Sequence, residues 1–256
     1  MAGESSPILE VSGLTCTMGG KVVLEDISFC VSRGEIFGVM GVSGVGKSTL
    51  LRNIMGLVRP DAGEIRVGGT NVVGLPEKQL NAVRARMGMC FQYAALFDSM
   101  SVYDNVAFGL RRLGLAEAEI AQRVDHYLDI VGLSGTGHLM PSDLSGGMRK
   151  RVGIARALAP EPELVLYDEP TSGLDPILAA TIDALIVKLR DQFGVASVVV
   201  THDVDHLFGY ADRAMMLHEG KALACGPPEE LRRSEDPVLR QFITGSVEGP
   251  IQVDTL

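Results

Sequence analysis

Eight consecutive residues in this chain are suited to holding a polyphosphate. Gly41-Val42-Ser43-Gly44-Val45-Gly46-Lys47-Ser48 fits the pattern G-x-x-x-x-G-K-[ST]. Its glycines let the backbone turn so that successive N–H groups point inward at phosphate oxygens. A helix beginning near Lys47 would present unpaired N–H groups and the positive end of its dipole to the same oxygens. Lys47 adds a full charge against the β- and γ-phosphates. Ser48 offers a hydroxyl oxygen to Mg²⁺, a hard cation that prefers oxygen ligands. The bland alternative is a glycine-rich turn that happens to precede Lys-Ser. The apolar run Glu35-Ile36-Phe37-Gly38-Val39-Met40, readable as a buried strand, and the helical pattern after the loop favour the phosphate site.

Leu164-Val165-Leu166-Tyr167-Asp168-Glu169 reads as an apolar strand delivering two carboxylates at its C-terminal end. In open α/β sheets that edge is where ligands bind. With a phosphate loop upstream, Asp168 would orient Mg²⁺, directly or through water, and Glu169 would polarise the water that attacks the γ-phosphate. Paired acids can also be ordinary solvated residues, but Pro170 forces the chain to turn immediately after them. His202 follows Val198-Val199-Val200-Thr201 and is either a satisfied structural histidine or a γ-phosphate contact that positions Glu169 and water. Gln92, after Met89-Cys90-Phe91, brings an uncharged amide able to bind Mg²⁺ or water, a role the residue alone leaves open. Ser145-Gly146-Gly147 opens a helix and forms either a second backbone anion site or a common cap. The neighbouring Arg149, Lys150 and Arg151 are expected mostly on a solvated helix face.

The elements that must position these residues alternate in type. Residues 8 to 31 read as antiparallel strands separated by Met18-Gly19-Gly20, and Gly63 to Gly69 as another short strand. The helix after the phosphate loop should end near Gly56. Residues 76 to 86 look helical and Met87 to Phe91 strand-like. Residues 99 to 140 are dominated by helical patterns, with breaks expected at Gly109, Gly114 and Gly132. A long helix should follow Gly147 and stop before Pro160. Buried strands at Leu164–Tyr167 and Val198–Val200, with a helix across residues 177 to 192 between them, indicate a parallel α/β sheet. Residues 236 to 256 form a tail with one short helix, Pro237 to Ile243.

Composition narrows the class. At 256 residues, with 46% hydrophobic content, the chain can bury a substantial core as one large domain or one domain with an insertion. A net charge of −9 argues against a nucleic-acid binder, which should carry a basic face. Cys16, Cys30, Cys90 and Cys225 are widely spaced with no C-x-x-C, which favours free or buried thiols over disulfides or a metal site. No segment approaches about 18 continuous apolar residues, the length needed to span a bilayer. Met1 to Pro7 lacks the basic and apolar regions of a signal peptide. The expectation is a cytoplasmic protein whose membrane role, if any, comes through a partner.

These residues, in this order, resemble the ATP-binding cassette family along nearly the whole chain. The matching parts are the Walker A loop at Gly41 to Ser48 with Thr49 beside it, the Q-loop at Gln92, and the signature Leu144-Ser145-Gly146-Gly147-Met148. The Walker B pair Asp168-Glu169, the D-loop Ser172-Gly173-Leu174-Asp175 and the switch His202 complete the set. The resemblance implies an α/β P-loop ATPase fold with an antiparallel β subdomain and an inserted helical subdomain at about 99–158. The ATPase domain would cover 1–235, followed by the tail at 236–256. It also implies a head-to-tail homodimer that sandwiches two ATP. Ser145, Gly146 and Gly147 would then act on the partner's nucleotide, and Asp175 would cross the interface. Mg²⁺ would be held by Ser48, Gln92 and Asp168, with Glu169, His202 and Gln92 serving hydrolysis.

Narrower features are similar to the ATPase subunits of Mce-associated, Mla-type lipid transporters. They are Met148 in place of the usual Gln, the stretch Ala95 to Phe108, Leu139-Met140-Pro141-Ser142, and the ending Pro237 to Ile243. That likeness implies an inner-membrane complex moving phospholipid or another lipid. Its other members would be a membrane permease, a periplasmic lipid-binding subunit of the MCE type and a small cytoplasmic regulatory subunit. It also implies a tail able to clasp the partner ATPase. One position departs from the broad family, whose adenine-stacking aromatic should fall at or near Met18. Three alternatives stay open at this point: a transporter ATPase for polar solutes, a DNA-repair or chromosome-organising ATPase, and a scaffold that does not hydrolyse. Almost a hundred residues between Lys47 and Ser145 leave no room for the long coiled coils of the second class. The presence of Glu169 and His202 argues against the third.

Overall fold

A computed structural model describes residues 6–252. Residues 1–5 of the Met1 to Pro7 stretch and residues 253–256 of the tail therefore lie outside the described residues. Two compact units emerge, one made of the chain up to Pro76 and from Val198 onward, the other of Glu77–Ser197.

The first unit begins with β1 (Leu9–Met18), β2 (Lys21–Val31), β3 (Ile36–Met40), α1 (Lys47–Ile54), β4 (Ala62–Val67) and β5 (Thr70–Asn71). The chain crosses the second unit as α2 (Glu77–Arg84), β6 (Met87–Cys90), α3 (Val102–Arg112), α4 (Glu117–Ile130), α5 (Gly146–Leu158), β7 (Leu164–Asp168) and α6 (Pro176–Phe193). It returns through β8 (Ala196–Thr201), then α7 (Val204–Leu207), β9 (Arg213–His218), β10 (Lys221–Gly226), α8 (Pro228–Arg232) and α9 (Pro237–Thr244).

In the first unit β2, β1, β4 and β5 form an antiparallel sheet in that order. Leu9, Val11, Leu14 and Cys16 of β1 are buried, with register shifts between Val11 and Cys16 where the strict alternation slips. The strands β10, β9, β3 and β8 are neighbours in a second sheet, with β3 and β9 parallel. All five residues of β3 are buried, as expected for a strand covered on both faces. The Phe29 ring stacks on Phe37 at 5.0 Å, and the Arg213 guanidinium lies over Phe37 at 5.4 Å. These contacts fix β3, and so the loop that leaves it.

The second unit pairs β6 and β7 in parallel and carries the helical stretch. Of the three expected breaks, Gly114 (φ +75°) and Gly132 (φ +69°) do end helices, but Gly109 lies inside α3. A Cβ there would sit 3.2 Å from the Pro160 ring, so this glycine serves a close approach, not a break. Asn105 of α3 is fully buried, and its amide organises the preceding loop. Its Oδ1 accepts from the Phe97 N–H at 2.8 Å, and its Nδ2 lies 3.0–3.1 Å from the carbonyls of Phe97, Met100 and Ser101.

Beyond Arg232 the chain folds back on itself. Asp236 caps α9, Leu239 is buried, and Gly245 (φ +63°) closes the helix. The Gln241 amide donates to the Ile251 carbonyl at 3.0 Å and accepts from the Ile251 N–H at 2.6 Å, which lays residues 245–251 against α9.

Candidate functional site

The phosphate loop lies in the first unit, between β3 and α1. Gly41, Gly44 and Gly46 all have φ between +79° and +154°, values only glycine adopts cheaply. A Cβ at Gly41 would meet the Leu217 carbonyl at 2.5 Å, and one at Gly46 the Val23 carbonyl at 2.9 Å, so both positions are closed to side chains on two counts. No side chain caps α1 and its first turn holds no acidic residue, which suits its N–H groups to an external anion. Lys47 is buried, and its Nζ donates to the carbonyls of Gly41 at 2.7 Å and Val42 at 3.1 Å. Its charge is thereby held over the loop it completes. Ser43 and Gly44 are exposed at the loop's crest, with Val42, Val45, Ser48 and Thr49 half-buried. His202 is exposed immediately after β8, the strand beside β3. That exposure fits a ligand contact better than a core histidine. Met18 is exposed at the end of β1.

The remaining predicted residues belong to the second unit. Asp168 ends β7 and Glu169 follows it, both buried. Glu169 has φ +49°, a left-handed backbone that costs a non-glycine residue about 1–2 kcal/mol. Its carbonyl accepts from the Ser172 N–H at 3.2 Å, which closes the turn begun by Pro170. Asp175 is the N-cap of α6, its Oδ1 accepting from the N–H groups of Ile177 and Leu178 at 3.0 Å. Ser145 caps α5 by accepting from the Met148 N–H at 3.3 Å. Ser145 and Gly146 are exposed, whereas Gly147 is buried, and a Cβ on it would stand 3.3 Å from Leu178. The Gln92 side chain donates to Ser172 Oγ at 3.4 Å.

The basic residues after the signature are less solvated than the sequence suggested. Arg149 is exposed but donates to the Leu144 carbonyl at 2.8 Å, and Arg151 is half-buried with its guanidinium on the carbonyls of Val131 and Gly132. Lys150 is half-buried and donates to the carbonyls of Gln92 at 3.1 Å and Glu169 at 3.2 Å. Burial pulls its ammonium below the ordinary lysine value, opposed by the nearby Glu169 charge. One turn and a half later, Arg156 donates to the carbonyls of Ala95 at 2.6 Å and Ala94 at 2.7 Å, two consecutive residues with φ +46° and +60°. The physical reason is shared: loops leave backbone carbonyls unpaired, and a long cationic side chain on the adjacent helix satisfies them. Sequence reasoning had no signal for Lys150 and Arg156, because a lysine or arginine on a helix looks the same whichever carbonyl it meets.

The donor types fit the ligands implied. Backbone N–H groups and an ammonium suit phosphates, and a hydroxyl, an amide and a carboxylate, the side-chain types of Ser48, Gln92 and Asp168, are the hard oxygen donors that Mg²⁺ prefers. Beside the Q-loop, Phe91, Phe97 and Phe108 are partly exposed and Tyr93 is 86% exposed, with the Phe97 and Phe108 rings 4.8 Å apart.

Comparisons with known proteins agree with this geometry. The profile of the ABC transporter family matches residues 24–172. The intermembrane phospholipid transport system ATP-binding protein MlaF of Escherichia coli K12 is 42% identical over 245 residues, covering 95% of this chain and 91% of that protein. The probable ribonucleotide transport ATP-binding protein mkl of Mycobacterium tuberculosis H37Rv is 41% identical over 244 residues, covering 95% of this chain and 68% of that one. Among solved structures, cbiO1 of Clostridium perfringens, part of the ABC transporter complex cbiONQ, superposes with a TM-score of 0.83 at 33% identity, covering 93% of this chain and 95% of that one. A dimeric ATP-binding cassette in a post-hydrolysis state with ADP and Pi superposes with a TM-score of 0.79 at 30% identity, covering 86% of this chain and 98% of that one. With the phosphate loop, the paired acids and the capped signature helix all in place, this chain belongs to the ABC transporter family and is an ATP-hydrolysing subunit.

Proposed function

We propose that this chain drives the movement of phospholipid, or another hydrophobic lipid, between the membranes of a bacterial envelope. The observation that carries the reading is its likeness to MlaF along 95% of its length, at 42% identity. In this reading the ATPase domain spans 1–235 with a helical subdomain at about 99–158, and residues 236–256 are an appended tail. Two copies pair head to tail on the cytoplasmic face of the inner membrane. Their partners are a membrane permease, a periplasmic lipid-binding subunit of the MCE type and a small cytoplasmic regulatory subunit. Among the described residues no helix is long and apolar enough to cross a membrane, so the attachment is peripheral, through the permease. The exposed aromatics Phe91, Tyr93, Phe97 and Phe108, of which the Phe97 and Phe108 rings lie 4.8 Å apart, support that docking, because aromatic side chains are enriched at interfaces.

In the hydrolytic step the N–H groups of Gly41 to Thr49, together with Lys47, bind and orient the ATP phosphates. Ser48, Gln92 and Asp168 would hold Mg²⁺, which would supply charge neutralisation on the phosphate oxygens. Glu169 takes the proton of the attacking water, His202 orients that water and the γ-phosphate, and Gln92 reports the metal to its own loop. Ser145, Gly146 and Gly147 close over the partner's nucleotide, with Asp175 at the dimer seam. Met18 packs its polarizable sulfur on the adenine in place of an aromatic ring.

A second reading, a transporter of a polar solute, draws on the name of mkl. One purification separates the two. The complex isolated from native membranes through this chain should carry a permease, an MCE-type subunit and bound phospholipid by mass spectrometry. A periplasmic binding protein for a polar solute, with no enriched lipid, would overturn the lipid reading.

A further inference from the structure

A closed circuit of hydrogen bonds links four functional segments of the second unit. Lys150 Nζ on α5 donates to the Gln92 carbonyl at 3.1 Å and to the Glu169 carbonyl at 3.2 Å. Gln92 Nε2 donates to Ser172 Oγ at 3.4 Å, and the Ser172 N–H donates to the Glu169 carbonyl at 3.2 Å. The circuit therefore joins the signature helix, the Q-loop, the peptide of the catalytic glutamate and the D-loop. Lys150 is its only charged donor, and it contributes two of the four bonds.

The backbone of Glu169 needs such a restraint. Its φ of +49° is a conformation that its own residue type disfavours, so surrounding contacts must impose it. The Glu169 carbonyl precedes Pro170, whose nitrogen has no hydrogen to donate in fixing that peptide. Two hydrogen bonds to the carbonyl, one from Lys150 and one from Ser172, do so instead. A charge-assisted bond in a half-buried setting is stronger than a neutral one, because less water competes for it.

Ser145 is the N-cap of the same helix. Five residues along a helix rise about 7.5 Å, and a helix transmits displacement over that length as a rigid rod. A shift of Ser145 therefore moves Lys150, and Lys150 pulls on the Glu169 and Gln92 carbonyls. Arg156, further along α5, holds the strained Ala94-Ala95 pair in the same way, so the Q-loop moves with the helix as one body.

We propose that Lys150 is a positioning residue that couples closure of the signature helix over the partner's nucleotide to the placement of Glu169 at this chain's own. The inference rests on the reading that Ser145 acts on the partner's nucleotide. It gives the dimer a physical route by which one occupied site prepares the other, through α5 and a single ammonium.

Full-length heterodimers in which the partner subunit carries Glu169→Gln leave one site turning over. In the active chain, Lys150→Met keeps the side-chain length and removes the donors. It should lower kcat about tenfold while KM for ATP stays within about twofold, because misplacing a catalytic group costs rate and not ground-state binding. Lys150→Arg should restore most of the rate. Lys150→Met in the partner subunit should change the rate less than about twofold. Ser145→Arg in the active chain should also slow its own site, and adding Lys150→Met there should slow it no further. Additive losses, an equal effect of Lys150→Met in either chain, or a loss that Lys150→Arg leaves unrepaired while the thermal melting midpoint falls would each overturn the proposal. Ser145→Arg in the partner subunit tests the underlying reading separately. It should abolish turnover if Ser145 acts across the dimer, and leave turnover unchanged if it acts in its own chain.

Discussion

Gln92 and Ser172 are joined side chain to side chain, Nε2 to Oγ, at 3.4 Å. The Q-loop residue is thus tied to the first residue of the D-loop, and Ser172 in turn holds the carbonyl of Glu169 through its own N–H. This leaves the Glu169 side chain separable from its backbone. The carboxylate can be altered while the peptide stays clamped by Ser172 and Lys150.

Glu169→Gln is therefore expected to preserve the fold and ATP binding while reducing hydrolysis by about 10²-fold or more, the loss that follows removal of a general base. The ATP-loaded variant should accumulate as a closed dimer, visible by size-exclusion chromatography, with phosphate release measured alongside. Near-normal turnover would remove Glu169 from the mechanism.

Phe97 is held by its backbone, not by its ring. Asn105 fixes both its N–H and its carbonyl, while the residue is 42% exposed, with its ring against Phe108. Phe97→Glu should thus leave the melting midpoint and nucleotide binding of the free chain nearly unchanged and weaken co-purification of the membrane subunit at least about tenfold, the scale of an aromatic anchor at an interface. A melt lowered as much as assembly would make Phe97 a core residue.

Cys90 titrates far from its ordinary range, because burial pushes its thiol from 9.0 up to about 12, with the Arg156 charge opposing. The folded state therefore keeps a proton that the unfolded state loses. The sign follows directly: this contribution is fully present below pH 9 and lost as pH rises toward 12. Denaturant melts across that window should show wild type losing more stability than Cys90→Ala. At neutral pH the exposed Cys30 should be alkylated well before Cys90. Parallel pH profiles for the two proteins would refute this account.

What the sequence revealed depended on how local the physics was. Gly41 to Ser48 could be read because glycine, lysine and serine at that spacing have few other uses, and α1 does begin at Lys47. The strand delivering Asp168 and the helix opened by Ser145 were equally plain, since apolar runs and caps are short-range signals. Gly109 misled, because a helical glycine marks either a break or a close neighbour, and the neighbour is Pro160, far along the chain. Lys150 and Arg156 were illegible for the same reason, with partners near residues 92–95 that only the folded helix brings within reach. Strands β9 and β10, joined by Glu219-Gly220, carry no strong alternation that separates them from their surroundings.

The tail offers the last test. Its helix buries Leu239 within its own chain, and Gln241 pins Ile251, so the tail implied to clasp a partner is partly held at home. What remains on offer is the turn after α9, where Val247 is 97% exposed. If the tail clasps a second copy, this turn is the part that reaches it, and the clasp would raise the effective concentration of one ATPase for the other once nucleotide leaves. Val247→Glu touches no hydrogen bond of the Gln241 anchor and should not change the melting midpoint. It should weaken the nucleotide-free dimer about tenfold by sedimentation, the cost of placing a charge in an apolar contact. Truncation after Thr244 should do the same and leave ATP binding by the monomer intact. Full dimerisation in both variants would reduce the tail to a local brace for α9.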